Sequence, residues 1–210
     1  MTIDSTRKSP MSRARLVVLA MAMSTSTLAG CAVDEGDLHR WETTLTGPER
    51  LTAVVLHDKY PLHLRVQAAM SLIRMKPRKG QHVGLSRLIE KTLAELPSEP
   101  RAKILGELIP LMIEELKKDP PPAAGPDDAR PDPSFKYKDA AYLMLTYDKV
   151  EIITDPALRK QLETALTEWA MKDFERKLSD RSQAYGMDQL LRHIGPSSVE
   201  GLPKLITKES

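Results

Sequence analysis

The sequence predicts an all-α protein. Leucine, alanine and methionine are abundant, whereas phenylalanine, tryptophan and tyrosine together make up only 4% of the 210 residues, and this balance favours helices over sheets. In several stretches apolar residues recur every three or four positions, which is the pattern of a helix with one buried face. No stretch alternates convincingly between apolar and polar residues, as a half-buried strand would.

The first two predicted helices form an antiparallel pair. Thr46 or Gly47 caps the first helix, and the proline that follows suits its first turn, where a missing amide hydrogen costs nothing. The helix runs to about Lys59, because residues that precede a proline such as Pro61 avoid helical geometry. The turn to a second helix over 62–75 is short, so the two must lie antiparallel. The residues predicted to face inward are Leu51, Val54 and Val55, then Leu62, Val66, Ala69 and Ile73.

Two further amphipathic helices follow. The third is predicted over 85–96 and ends at Pro97. The fourth begins at Ser98 and is bent near Pro110, where proline removes one hydrogen bond of the helix. The predicted buried stripes are Leu85, Leu88, Ile89, Thr92, Leu93 and Leu96, then Ile104, Leu105, Leu108, Met112 and Leu116.

A proline-rich segment divides the helical part of the chain. Residues 119–133 contain six prolines, one glycine and several acidic residues, a composition typical of a solvated linker or an exposed loop. We interpret it as a spacer between helical blocks at 46–118 and 134–210. Helices in the second block are predicted over 136–149, 156–178, 181–194 and 198–207, and the longest would bury Leu158, Leu162, Ala165, Leu166 and Trp169.

The first 31 residues have the order of an export signal. Two arginines, Arg13 and Arg15, precede a short apolar run over 16–23 and a segment of small residues. The run is far shorter than the roughly twenty residues that span a bilayer. It leads to Leu28-Ala29-Gly30-Cys31, which contains the only cysteine of the chain and resembles the lipobox of bacterial lipoproteins. The resemblance implies that residues 1–30 are a signal peptide, that Cys31 takes a diacylglyceryl group, and that its freed amine is acylated.

The residues that follow the lipobox predict the location of the protein. In the lipoproteins that this segment resembles, an aspartate directly after the cysteine is typical of retention in the inner membrane. Here that residue is Ala32, so the resemblance implies that the protein is anchored in the outer membrane. We interpret 31–45 as a tether and an N-terminal cap. Residues 34–37 would be solvated, while Trp41 and Leu45 would pack onto the first helix pair.

The charge of the chain is concentrated in its first 30 residues. They hold four basic residues and one acidic residue, so the net charge of +2 for the whole chain becomes −1 for the remainder. A nearly neutral domain with mixed signs predicts neither a nucleic-acid surface nor a polybasic membrane patch.

An internal repeat supports an array of helix pairs. Gly84-Leu-Ser-Arg-Leu-Ile89 returns 117 residues later as Gly201-Leu-Pro-Lys-Leu-Ile206, an offset equal to three units of about 39 residues, close to the length of HEAT or armadillo helix pairs. Asp58 and the segment 64–69 resemble the turn and second helix of a HEAT repeat. The resemblance implies an antiparallel helix-pair solenoid in which Arg65 reaches toward Asp58 or a neighbouring turn. An irregular helical bundle is the alternative.

The sequence favours a binding role over catalysis. Its five histidines match no catalytic or metal-binding spacing, and it contains no nucleophile motif and no glycine-rich phosphate loop. The closest approach to a reactive site is His57-Asp58 with His63. Tyrosine is enriched at interface hot spots, so three residues are candidates for anchoring a partner: Tyr142, Tyr147 and Tyr185.

We therefore expect a non-enzymatic envelope lipoprotein, anchored in the bilayer through Cys31, whose helical array is a scaffold for another envelope protein. We expect no cofactor beyond that covalent lipid, no metal, no small-molecule substrate and no nucleic-acid partner. One alternative is a pilot lipoprotein that delivers the subunit of an outer-membrane channel. Another is an envelope hydrolase whose site, assembled from distant residues, would depend on His57, Asp58 and His63.

Overall fold

The computed structural model describes residues 33–119, 132–179 and 183–198, and the regular secondary structure in these ranges is helical, which confirms the predicted all-α class. None of the helices in these ranges is both long and apolar enough to cross a membrane. The elements are α1 (Glu35–Trp41), α2 (Gly47–Leu56), α3 (Leu62–Arg74), α4 (Val83–Ser86) continued by a π-helical segment π1 (Arg87–Leu93), α5 (Ser98–Lys117), α6 (Ser134–Thr146), α7 (Pro156–Met171), α8 (Phe174–Ser179) and α9 (Met187–Ser198).

The central helices α3, α5 and α7 each contact several other helices. α2 packs along α3, and π1 lies against α2. A row of helices then runs through the molecule, because α3 contacts α5, α5 contacts α7, and α7 contacts α9. α6 packs against α3, α5 and α7. Helices from both sides of the proline-rich segment therefore share one apolar core.

The predicted apolar stripes form most of this core. Every stripe residue predicted over 85–96 and over 104–116 is buried, and so are the three predicted in the first helix. Leu62 and Leu158 are only partly buried against the core. α2 ends at Leu56, earlier than predicted, because the backbone of His57 is already extended.

The segment predicted as a solvated tether, residues 34–37, contains the start of a helix. Asp34 caps α1: its side chain accepts from the backbone N–H of Asp37 at 2.8 Å, and the Asp37 carboxylate accepts from the backbone of Asp34. This reciprocal capping box satisfies two backbone donors at the end of the helix. Trp41 is buried, as predicted, but Leu45 is 85% exposed, so its predicted packing is wrong.

The third predicted helix has an unexpected π-helical geometry. The backbone N–H of Ala94 donates to the carbonyl of Ile89 at 3.1 Å, five residues earlier. The Thr92 hydroxyl likewise donates to the carbonyl of Arg87 at 2.9 Å. These bonds hold one extra residue in the helical turn. The periodicity of apolar residues in the sequence does not distinguish such a π-helical segment from an α-helix.

A glycine allows this element to approach α3 closely. A Cβ built on Gly84 would lie 2.3 Å from the carbonyl oxygen of Leu72, and 2.9 Å from the Cβ of Met75. Because the obstructing oxygen belongs to the backbone, it cannot rotate away. Gly84, the first residue of the predicted repeat, thus sets the distance between α4 and the end of α3.

At three turns, a basic side chain donates a hydrogen bond to a backbone carbonyl at the C-terminal end of the preceding helix. Arg65 donates through Nε to the carbonyl of Val55 at 2.8 Å. Arg101 donates through Nη1 to the carbonyl of Leu93 at 3.3 Å. The third such residue, in α8, is Lys177. The predicted contact of Arg65 with Asp58 is therefore wrong, because the partial negative charge at the C-terminus of α2 attracts the guanidinium instead.

The prediction of a single helix over 156–178 is wrong, because two helices, α7 and α8, occupy this range. α7 ends at Met171, and Asp173 adopts a left-handed backbone conformation with φ of 52°. The chain then turns so that the buried Lys177 can donate to the carbonyls of Trp169 and Lys172. The bond to Lys172, 2.5 Å long, supplies a partner for a carbonyl that the end of the helix leaves free.

Some predictions lie outside the described residues. They include the signal peptide with Cys31, most of the proline-rich segment and the second copy of the repeated hexamer. The helix predicted over 181–194 begins later, at Met187, and continues to Ser198.

Candidate functional site

A polar cleft of about 750 Å³ opens between the helical segment α4–π1 and the segment that precedes α9. Its volume falls in the range of roughly 300–1,000 Å³ that is usual for ligand sites. The lining residues come from distant parts of the chain, and they are Gly80, Gln81, His82, Val83, Ser86, Arg87, Glu90, Lys91, Gln183, Ala184 and Tyr185.

Positive charge is concentrated around this cleft. Residues 74–91 contain six basic residues and only one acidic residue, Glu90. Carboxylates of other elements compensate two of the six: Glu49 lies 2.6 Å from Arg87, and Glu42 lies 2.9 Å from Arg74. In the described part of the chain, no carboxylate lies within ion-pair distance of the remaining four basic residues, which are Lys76, Arg78, Lys79 and Lys91.

A tight turn forms the rim of the cleft. Arg78 and Gln81 exchange two backbone hydrogen bonds of 2.9 Å, while Lys79 and Gly80 take positive φ angles of 48° and 75°. The Arg78 guanidinium donates to the carbonyls of Thr44 and Leu45, the latter at 3.1 Å. These bonds fix the rim to the loop between α1 and α2.

Further positive charge adjoins the rim at the end of α3. Lys136, from α6, donates to the carbonyl of Arg74 at 2.8 Å. Burial lowers the pKa of Lys136, the charges of Lys76 and Arg74 lower it further, and the carboxylate of Glu42 opposes both. The basic surface thus extends from the cleft onto α6.

A buried ion pair holds the opposite wall in place. Lys138 and Asp139, on α6, are almost fully buried, and Lys138 Nζ lies 2.5 Å from Asp139 Oδ1. The Asp139 carboxylate accepts from the backbone N–H groups of Ala184 and Tyr185 at 3.2 and 3.3 Å, while Lys138 donates to the carbonyl of Tyr185. Burial lowers the pKa of Lys138, and the charge of Asp139 opposes that shift. The wall is therefore tied to the core of the molecule.

Of the three tyrosines predicted to anchor a partner, only Tyr185 lines the cleft. Its ring packs against that of Tyr142, with the centroids 5.0 Å apart, so Tyr142 supports the wall from behind. Burial raises the pKa of Tyr185, and the carboxylate of Asp139 adds to the effect. Tyr147 lies elsewhere, half-buried against the core.

The three residues of the hydrolase alternative lie away from the cleft. His57 and Asp58 are exposed in the turn between α2 and α3, and His63 is exposed in the first turn of α3. Within the ranges that the structure describes, no group of three or more histidine, cysteine, aspartate or glutamate side chains is placed to hold a metal ion.

Sequence patterns do not predict the cleft, because its two walls are about a hundred residues apart in the chain. The charge of residues 74–91 was available as a signal, but the nearly neutral total concealed it. The chain matches no known family model, no curated protein and no solved structure. The cleft, the helix packing and the lipobox resemblance are therefore the features that bear on its function.

Proposed function

We propose that this chain is an outer-membrane lipoprotein, anchored through lipid on Cys31, whose helix pairs form a HEAT-like solenoid that binds another envelope protein. The observation that carries the proposal is the cleft between α4–π1 and the segment before α9, because hydrogen bonds fix one wall to the buried Asp139 and the rim to the loop between α1 and α2. Fixed walls lower the entropic cost of binding, since little has to be ordered when a partner arrives.

The helix packing supports the solenoid. Two of the turns between helices are closed in a similar way, because Arg65 and Arg101 each donate to a carbonyl at the end of the preceding helix. The fully buried Ala68 and Ala69 let α3 approach its neighbours closely. The row α3, α5, α7 and α9 is what stacked helix pairs would produce.

The lipobox resemblance supports the anchor. The segment Leu28-Ala29-Gly30-Cys31 follows a basic and then an apolar stretch, and Ala32 replaces the aspartate of an inner-membrane retention signal. Two or more acyl chains give stable attachment, because each buried methylene contributes about 0.8 kcal/mol. The first described helix, α1, begins four residues after Cys31, so the domain would stay close to the membrane.

Site-specific photocrosslinking in intact cells tests the proposal. A photoreactive amino acid at Gln81 or Ser86, both exposed at the cleft, should give one discrete adduct with an envelope protein. The same amino acid at Lys103, on the exposed side of α5, should not. Replacing Cys31→Ser should release the protein from the outer membrane and reduce the adduct. Equal crosslinking at all three positions, or unchanged membrane attachment of the Cys31→Ser variant, would contradict the proposal.

A further inference from the structure

The rim of the cleft and its surroundings have an excess of positive charge that a ligand could balance. Lys79 stands on its rim, and Arg87 and Lys91 line one wall. Glu90 lines the same wall, and Glu49 pairs with Arg87. Lys76 and Arg78 lie just outside the cleft and have no carboxylate partner among the described residues. Glu49 and Glu90 thus offset the two basic residues of the lining, and the excess comes from Lys76, Arg78 and Lys79 at and beside the rim. This excess favours an anionic ligand that also reaches the rim.

The other lining groups suit a polypeptide. Gln81 and Ser86 are exposed and can exchange hydrogen bonds with a peptide backbone. Val83 and Tyr185 supply apolar surface on opposite walls. Basic, hydrogen-bonding and apolar groups in an open cleft match an extended segment that carries both carboxylates and apolar side chains.

The position of the acidic residues argues against an anionic membrane as the ligand. Asp34, Glu35 and Asp37 lie at the start of α1, the end nearest Cys31. Under the proposed anchor, these carboxylates follow the lipid-bearing residue by only three to six positions in the chain, which keeps them close to the bilayer. Anionic headgroups would repel them, because the surface potential extends about a Debye length from the membrane.

We infer that the cleft binds an extended acidic segment of the partner protein, with its carboxylates against Lys79, Arg87 and Lys91. This inference rests on the proposed scaffold function and specifies the partner's chemistry. The buried pair Lys138–Asp139 acts as a positioning device, since it holds the wall that carries Tyr185.

Fluorescence anisotropy with the full chain, purified in a neutral detergent, tests the inference. The probe is a fluorescein-labelled ten-residue peptide of alternating glutamate and valine, and the matched peptide has glutamine in place of glutamate. The glutamate peptide should bind at least about tenfold more tightly, and added salt should weaken its binding, because salt screens exposed charges.

A triple variant and its matched control locate the binding site. Lys79→Gln, Arg87→Gln and Lys91→Gln together should weaken binding of the glutamate peptide at least about tenfold. The control removes three positive charges elsewhere, at Lys103, Lys117 and Lys160, of which the last two line a separate groove between α5 and α7. Its affinity should stay within about twofold of the parent. Far-UV circular dichroism verifies that both variants remain folded.

Three results of the binding measurements would overturn the inference. The first is equal affinity for the two peptides, and the second is equal weakening by the two triple variants. The third is displacement of the peptide by phosphatidylglycerol vesicles together with loss of vesicle binding in the cleft variant, which would assign the surface to lipid. If the cleft variant still gives the photocrosslinked adduct, the scaffold function stands and this inference fails. If the peptide binds as expected but no adduct forms in cells, the scaffold function fails.

Discussion

Replacing Gly84 or Gly106 with alanine should change the free energy of unfolding in opposite directions. Gly84 lies where α4 meets α3, and an added Cβ would stand 2.3 Å from the carbonyl oxygen of Leu72. Gly106 lies in the middle of α5, is exposed, and an added Cβ would meet nothing within 4 Å. The pair therefore separates the effect of crowding from the effect of helix propensity.

The size of each change in the free energy of unfolding follows from the atoms that surround the glycine. Relieving the contact at Gly84 requires α4 to move away from the backbone of α3, and such overpacking costs about 1–3 kcal/mol. Alanine regains about 0.5–1 kcal/mol of helix propensity. Because the 2.3 Å contact is with a backbone oxygen, the overpacking cost falls in the upper part of its range, about 2–3 kcal/mol. After the gain in propensity is subtracted, Gly84→Ala should lower the free energy of unfolding by about 1–2 kcal/mol. Gly106→Ala should raise it by about 0.5–1 kcal/mol, since only the propensity changes.

Urea unfolding followed by far-UV circular dichroism measures both effects. With a slope of about 2 kcal/mol per molar urea, the midpoint should fall by about 0.5–1 M for Gly84→Ala and rise by about 0.3–0.5 M for Gly106→Ala. A midpoint for Gly84→Ala equal to or above that of the parent would refute the close approach of α4 to α3. It would also remove the physical reason for a glycine at the start of the repeated hexamer.

Three further predictions concern buried charges, each measured by urea unfolding. Asp139→Asn should cost about 3–5 kcal/mol, because it leaves Lys138 buried without its counter-ion; a loss below about 1 kcal/mol would contradict the buried pair. Arg65→Ala should cost about 1–3 kcal/mol by stripping the Val55 carbonyl of its donor, and a neutral effect would contradict the cap. Burial lowers the pKa of Lys177 from 10.5 to about 8. The unfolded chain therefore binds more protons between these values, and stability should rise with pH above about 8. Lys177→Met should reduce the rise, and a flat profile in the parent would refute it.

Local patterns predicted the helices and most of their buried faces. The stripe over 104–116 is buried as expected because spacing along one helix determines which residues share a face. The capping box at Asp34 and Asp37 was also a local signal, but the acidic composition of residues 34–37 led to an interpretation as a tether. The spacing of these two aspartates was therefore sufficient to predict the start of α1, although it was interpreted as part of a tether.

Local sequence patterns could not predict contacts between residues that are distant in the chain. Lys138 and Asp139 are adjacent charged residues, which normally indicates an exposed position. They are buried because each finds a partner in the other and in the backbone of 184–185. The break after α7 likewise depends on Lys177 reaching back to Trp169, and neither proline nor glycine marks it.

Intact-mass spectrometry of the protein extracted from membranes tests the central claim most directly. The account predicts a chain that begins at Cys31 and carries a diacylglyceryl group on its sulfur and a third acyl chain on its amine. A chain that retains residues 1–30 with an unmodified thiol at Cys31 would contradict it.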